Sequence, residues 1–380
     1  MVTIIIFILI LGLLVLAHEF GHFITARKSG MRVFEFGFGF PPRVLGVYRD
    51  QATKKLVWKF RKKKDEEEIP ATIYSLNLLP LGGFVRIKGE DGGQANEPDS
   101  FGFQKAWKRA VVLAAGVTMN VILAGALLSV GFMIGLPTDL SVDPGKYAII
   151  VEPAQVMVQA VDKASPAEEA GIKFGDRILK IDGQEIKSSE SMVGYVQANF
   201  AKEMLLLVER SGQKMELKMT PRLIKPGDGS PRFGVMLADA GIVRYPWYIA
   251  MYKGFFAAGI GLINIFIAFY LLIKNLILGQ GLMFDVSGPV GIAVMVGQSA
   301  RLGISYLINV TAMISLSLAA INILPIPALD GGRILFILIE KIIRRPLPMK
   351  YEQLAHTIGF VLLMILIVVV TGRDVWGLIK

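Results

Sequence analysis

The chain of 380 residues contains no cysteine. Disulfides, thiolate metal sites and cysteine nucleophiles are therefore excluded. Histidine is scarce as well, at 3 residues, so an imidazole-based site has few places to be. Acidic side chains are outnumbered, 31 Asp and Glu against 41 Lys and Arg, which leaves a formal charge of +10. Polar stretches are few: 53% of the residues are hydrophobic and mean hydropathy is +0.54. That is too apolar for a soluble protein of this length and predicts a polytopic membrane protein. Much of the basic excess lies in short loops beside apolar runs. It fits cytoplasmic loops obeying the positive-inside rule, and no nucleic-acid partner is expected. The N-terminal apolar run lacks a basic leader and a small-residue cleavage site, so it is expected to be a retained span rather than a signal peptide.

Two of the three histidines fall in His18-Glu19-Phe20-Gly21-His22, inside that first apolar run. The spacing is H-E-x-x-H. On a helix, positions i and i+4 share a face, so both imidazoles can reach one metal ion, with Glu19 beside it where a general base for water would stand. Such a short pattern also arises by chance, and a pair of histidines satisfied within a helix bundle is the bland alternative. That alternative must explain why a histidine-poor chain puts two histidines and a carboxylate in an apolar helix, where ionisable groups are costly.

Apolar segments run at about 2–26, 106–136, 247–278, 304–343 and 354–371. Twelve basic residues between Arg27 and Lys64 mark the loop after the first segment as cytoplasmic, and Lys341, Arg344, Arg345 and Lys350 mark another near the C-terminus. The stretch 147–222 then lies outside. Parity requires 247–278, which is long enough for one crossing, to cross an even number of times, so it is expected to lie along the outer interface as an amphipathic or partly inserted helix. Residues 33–40 alternate Phe34, Phe36, Phe38 and Phe40 with Val33, Glu35, Gly37 and Gly39, a strand expected to end at Pro41-Pro42. Residues 55–60, 72–76 and 84–88 read as further strands, and Lys62–Lys64 with Asp65–Glu68 as a solvated hairpin tip. This small sheet either rests on lipid or offers an edge to a peptide.

A catalytic zinc site keeps three protein ligands and an open position. A carboxylate is the expected third ligand, and Asp330 is the best placed, after Asn322-Ile323-Leu324-Pro325-Ile326-Pro327-Ala328-Leu329 and before Gly331-Gly332. The prolines break the helix and the glycines let backbones approach closely. The competing role for Asp330 is a helix N-cap, and Glu340 is the rival ligand. Counted from Arg27 and Lys341, His18 and Asp330 lie about 14 and 16 Å deep at 1.5 Å per residue, so they can meet at one level. Asn322 and Asn120 are further buried amides. Either could steady a developing oxyanion or make an interhelical hydrogen bond; Asn322 is read as serving catalysis or substrate holding, and Asn120 is left open. By spacing alone a His₂-carboxylate site could hold other divalent ions.

Residues 165–183, Ser-Pro-Ala-Glu-Glu-Ala-Gly through Gly175-Asp176-Arg177-Ile178 to Ile181-Asp182-Gly183, resemble the PDZ core of bacterial proteases. Residues 189–200 carry helical spacing, and 205–210 with 214–220 form a hairpin around Ser211-Gly212. A PDZ domain can add a peptide strand to its sheet edge or act only as a steric gate.

In order along essentially the whole chain, His18–His22, the Gly116–Asn120 stretch, the PDZ core, and Asn322 with Leu329-Asp330-Gly331 resemble the site-2 protease family of intramembrane zinc metalloproteases, of the bacterial regulator-of-sigma-E type but with room for a single PDZ domain. The resemblance implies Zn2+ held by His18, His22 and Asp330, Glu19 as base, and Asn322 as an oxyanion or substrate contact. It implies a membrane-associated β-region that holds unwound substrate, with Phe38, Gly39, Gly83, Phe84, Val85 and Asn120 as substrate-binding candidates.

The expected fold is a polytopic α-helical membrane protein of about four spans, with that β-region and an inserted extracytoplasmic PDZ domain, a small β-barrel-like α+β unit. Its expected parts are 1–32, first span; 33–90, β-region on the cytoplasmic side; 91–146, second span and flanks; 147–222, PDZ domain; 223–300, interfacial helical region; 301–345, third span; and 346–380, last span. The expected activity is site-2 cleavage of single-span membrane proteins, such as anti-sigma factors or remnant signal peptides, after a first cut by an upstream site-1-type protease. The expected place is a bacterial inner membrane, with the active site towards the cytoplasm. The PDZ domain would contact peptide ends or filter substrates by size. A non-catalytic PDZ-bearing scaffold is the alternative; it has no need of three ligands and a base together. A metal transporter would need ionisable residues along a pathway, and the other spans offer almost none.

Overall fold

The computed structural model describes residues 2–60, 69–90, 92, 94, 96–162, 164–200, 202–210, 212–223, 231–279, 287–345 and 347–379. The expected hairpin tip at 62–68 lies outside them. The chain divides into two compact units. One comprises Met1–Ala126, Phe255–Gly297 and Thr311–Lys380; the other comprises Leu127–Gly254 and Gln298–Val310.

The first unit opens with helix α1 (Val2–Lys28), apolar around its whole circumference until the histidines. Strand β1 (Val33–Arg49) follows, then β2 (Leu56–Lys59) and β3 (Ile73–Ile87), in the sheet order β2-β1-β3. Strand β1 does not stop at Pro41-Pro42, as the sequence suggests. It stays beside β3 across them, with Phe40 opposite Leu79 and Arg43 opposite Asn77. β3 joins the two separately expected strands 72–76 and 84–88 into one element that doubles back. Phe36, Gly37 and Phe38 lie opposite Val85, Phe84 and Gly83, while Tyr74 to Leu76 lie beside both halves of β1. Inside the sheet, Glu35 and Arg43 form a buried ion pair at 2.7 Å.

Helix α2 (Ala106–Ile134) begins in this unit and packs on α1 through Gly21, where a Cβ would strike the carbonyl of Ala115. Small residues permit such close crossings between apolar helices. Phe23, Ala26, Met31, Val33, Ile87, Phe101, Val112, Leu113 and Ile337 form one buried apolar cluster that ties α1, β1, β3 and α2 together.

In the second unit, strands β4 (Leu136–Asp139), β5 (Ile149–Val161), β6 (Arg177–Ile181), β7 (Gln184–Glu185), β8 (Met204–Arg210), β9 (Gln213–Met219) and β10 (Val235–Arg244) form one sheet. Its order is β4-β10-β5-β6-β8-β9, with β7 on β6. Helices α3 (Pro166–Glu169) and α4 (Ser189–Ala198) belong to the same unit. Ser165 caps α3 by accepting the Glu168 N–H, and Ser188 and Ser191 cap α4 reciprocally. The sheet takes in β4 and β10, beyond the 147–222 expected for this domain. Those strands pair over long sequence separations, Val235–Val161 among them, which local alternation cannot reveal. Val156 and Val158, and Leu206 and Val208, alternate inward, and a register shift in β6 lets Ile178 and Ile181 join the same core. Asp176 is fully buried and takes Nε and Nη2 of Arg210 at 2.7 and 2.6 Å.

Among the described residues, five helices complete the chain: α5 (Trp247–Ile277), α6 (Pro289–Leu302), α7 (Ile304–Asn322), α8 (Asp330–Ile343) and α9 (Met349–Ile379). Among the described residues, five helices are long and apolar enough to cross a membrane: α1, α2, α5, α7 and, over Met349–Gly377, α9. The expected continuous apolar segment 304–343 is two helices, broken at the Pro-Ile-Pro sequence as proline requires. α6 starts on Pro289, where a missing N–H costs nothing, and Asp374 of α9 accepts the Gly291 N–H of its first turn at 2.7 Å. Thr3, in the first turn of α1, is the side chain a Cβ on Gly297 of α6 would meet.

Candidate metal centre

His18 and His22 are buried on one face of α1 with their Nε2 atoms 3.1 Å apart. Asp330 Oδ2 lies 3.0 Å from His18 Nε2 and 3.3 Å from His22 Nε2. The three ligand atoms fall within 4.8 Å of one another, the His/Asp/Glu cluster of metal-binding size found among the described residues. Asp330 is not an N-cap. Leu329 occupies that position and no side chain caps α8, so the Asp330 carboxylate in the first turn is left to face the imidazoles. The rival Glu340 is committed elsewhere. It pairs with Arg109 of α2 and accepts the Leu347 N–H.

Helix α2 sets the tautomer of one imidazole. His22 Nδ1 donates to the carbonyl of Val112 at 2.8 Å, so its Nε2 presents a lone pair to the cluster. Metal-ligating histidines hold their other nitrogen in this way. Asn120, 1% exposed, stands at the second imidazole: its Nδ2 is 3.5 Å from His18 Nδ1 and its Oδ1 is without a partner. A half-turn of the amide sets Oδ1 against Nδ1 and gives His18 the same arrangement as His22, proton outward and lone pair inward.

The donor set fits zinc. A tetrahedral ion with bonds of about 2.0–2.1 Å separates its ligand atoms by about 3.3–3.4 Å, close to the three separations above. Asp330 Oδ2 is a buried acceptor without a hydrogen-bonding proton, as a ligand oxygen would be. Space for an ion is kept open by Gly116. A Cβ there would lie 2.5 Å from His22 Nε2 and 2.8 Å from His18 Nε2, within bonding range of where the ion would sit.

Glu19 is held by the sheet: the Val85 N–H of β3 donates to its Oε2 at 3.1 Å. Gly83 brings the strand so near that its Cβ would approach Glu19 Cγ to 3.7 Å. Phe84 is opposite Gly37, and Phe38 is opposite Gly83, with its ring against Gly12 of α1. Gly39 turns at φ +81°, where a Cβ would meet the Leu79 carbonyl at 2.5 Å. Asn322 is the last residue of α7, half-buried at the mouth of the loop that leads to Asp330. The Val112 carbonyl, the spatial role of Gly116 and the Val85 N–H were not foreseen from the sequence; two are backbone groups, which any residue type supplies.

Known proteins resemble this chain along nearly its whole length. A zinc metalloprotease of Clostridium perfringens, so named, is 32% identical over 95% of each chain. A zinc metalloprotease so named in Agrobacterium fabrum is 31% identical, over 98% of this chain and 95% of its own. The regulator of sigma-W protease of Bacillus subtilis is 29% identical over 98% of both. Among solved structures, the PDZ domain of an SdrC-like protein from Listeria monocytogenes aligns with 24% of this chain and 95% of its own length, at 24% identity and a TM-score of 0.22. The family model for peptidase family M50 matches residues 6–366. With nearly its whole length inside that match, the chain belongs to peptidase family M50, the site-2 proteases, and is a multi-pass zinc metalloendopeptidase.

Proposed function

We propose that His18, His22 and Asp330 hold the zinc, that Glu19 is the general base, and that the substrate is a single-span membrane protein already shortened by an upstream protease. The observation that carries the reading is the convergence of three ligand atoms within 4.8 Å, with Glu19 adjacent, on a helix apolar enough to cross a membrane. Zinc, when bound, supplies a Lewis acid that polarises a peptide carbonyl and acidifies water. Glu19 takes the proton of the attacking water as the C–O bond forms. It returns that proton to the leaving amine as the C–N bond breaks. Asn322, at the end of α7, offers an amide N–H to the carbonyl oxygen that gains charge.

A helical substrate shields its peptide bonds with its own hydrogen bonds and must unwind to be cut. Unwinding in an apolar setting would orphan backbone groups at several kcal/mol each, as an order of magnitude. The β3 edge at Gly83, Phe84 and Val85, with Phe38 and Gly39 of β1 next to it, supplies replacement partners for an added strand. Its nearness to Glu19 supports this reading, because a strand there would be laid against the base.

The topology has about four spans, with the Lys28 end of α1 towards the cytoplasm. α5 lies along the outer interface. By Gly291 and Gly297 the chain is already beside Asp374 and Thr3, at the end of the molecule where α1 starts, which supports an even number of crossings before α6. The second unit contains a PDZ domain on the outer side, which excludes untrimmed ectodomains or engages peptide ends. Anti-sigma factors and remnant signal peptides are substrates of the required class.

The test is a series of tagged single-span reporters of decreasing ectodomain length, incubated with detergent-solubilised wild type and with Glu19→Gln. Chelator-sensitive cleavage of only the shortest reporters, by wild type alone, is the expected result. Cleavage of full ectodomains at an equal rate contradicts the ordered scheme, and cleavage by Glu19→Gln removes the base.

A further inference from the structure

The third histidine of the chain has no part in the mechanism above, yet it also sits at the metal centre's support. His356 lies in the second turn of α9, and its Nδ1 accepts the backbone N–H of Ala328 at 2.7 Å. Ala328 is two residues before Asp330, and its φ is +81°, a left-handed conformation that costs a residue bearing a Cβ. In the loop from Ile323 to Leu329, Pro325 and Pro327 carry no N–H, and α8 has no side-chain cap. Leu324, Ile326 and Leu329 donate within the loop and to the end of α7; the Ala328 N–H is answered from another helix.

The imidazole is itself fixed. Gly359, on the same face of α9, lets the helix backbone reach the loop, since a Cβ there would strike the Pro327 carbonyl. The Phe336 ring of α8 flanks His356 at 5.6 Å between centroids. Accepting an N–H places the lone pair on Nδ1 and the proton on Nε2, which faces Glu352 Oε1 at 3.8 Å, beyond hydrogen-bonding reach. One orientation therefore serves the loop.

We propose that His356 is a positioning residue: by holding the strained Ala328 it sets the first turn of α8 so that the Asp330 carboxylate reaches His18 and His22. The inference rests on the reading of Asp330 as a zinc ligand. A hydrogen bond from the Ala328 N–H to a side chain of α9 thus anchors the chain just before α8 and fixes the entry angle of the ligand helix.

The experiment measures zinc affinity of the full-length protein by chelator competition, together with kcat, KM and thermal stability. His356→Phe keeps a ring but removes the acceptor. His356→Asn places Oδ1 where Nδ1 stood. His356→Phe is expected to weaken zinc by roughly 10- to 100-fold, the range for lost outer-shell partners, and to lower kcat more than it raises KM. His356→Asn restores most of both. Adding Ala328→Gly to His356→Phe recovers part of the affinity, because glycine adopts positive φ without the Cβ penalty. Wild-type zinc affinity in His356→Phe, alongside impaired affinity in Asp330→Ala, overturns this inference alone. Equal losses in His356→Phe and His356→Asn also overturn it, since bulk packing would then be the cause. Wild-type affinity in Asp330→Ala overturns it together with the ligand assignment beneath it.

Discussion

The backbone N–H of Val85 donates to Oε2 of Glu19 at 3.1 Å, so the β-region grips the carboxylate next to the paired histidines. The bond ties the Glu19 side chain to the backbone of β3. Shortening the side chain by one methylene in Glu19→Asp withdraws the carboxylate by about 1 Å or more. A displacement of that size costs about 100-fold in rate. The expected outcome is kcat reduced on that order with zinc content unchanged, read by single-turnover cleavage and metal analysis. An Asp variant with near wild-type kcat would mean the grip is incidental.

Gly116 is expected to be intolerant of even one methyl group. The Cβ of Gly116→Ala falls 2.5 Å from His22 Nε2, in the space an ion would occupy, and the close Gly21 crossing leaves α2 little room to retreat. Zinc affinity should drop by at least about 10-fold, and the overpacked crossing should lower stability by about 1–3 kcal/mol. Equilibrium dialysis with zinc and a thermal melt read the two quantities separately.

Asn120 divides two roles by measurement. If it steadies His18, Asn120→Ala weakens zinc by about 10- to 100-fold and leaves KM for a reporter nearly unchanged in the zinc-saturated enzyme. If it contacts substrate, KM rises and zinc affinity holds. The 3.5 Å approach to His18 Nδ1 and near-complete burial favour the first outcome.

Much of the candidate site was legible because the groups that would carry its chemistry are rare residue types at fixed spacing. In a chain with 3 histidines, His18 and His22 one helical turn apart had to share a face. Asp330 stood out as an acid amid apolar residues and helix breakers. The hairpin β8–β9 was legible from alternation. What was hidden depends on backbone or on distance. Val112 contributes a carbonyl and Val85 an N–H, which no residue type announces. Strand β1 continues beyond Pro41-Pro42 because β3 pairs with it on both sides of the prolines, and β10 joins β5 across more than seventy residues. The role of His356 hinges on the φ of Ala328, which the sequence does not encode as a glycine would.

The second unit carries its own test. Asp176 is fully buried and receives Nε and Nη2 of Arg210, whose guanidinium it holds firmly in the charged form. Asp176 also accepts the Lys173 N–H, and Arg210 donates to the Gly171 carbonyl, so one pair fixes the turn after α3. Asp176→Ala should destabilise this unit by about 2–3 kcal/mol, the scale of lost charged hydrogen bonds. Hydrogen exchange of the full-length protein would show faster exchange across β6 and β8, with zinc content at the wild-type level. Unchanged protection would contradict the assignment of Asp176 as a structural anchor.

The most direct measurement is X-ray absorption at the zinc edge on the detergent-solubilised protein, wild type and Asp330→Ala. Two imidazole nitrogens at about 2.0–2.1 Å and carboxylate oxygen at about 2.0–2.2 Å are expected in the wild type, with the carboxylate contribution and tight binding lost in the variant. A ligand shell that is the same in both proteins would contradict a zinc site built from α1 and the first turn of α8.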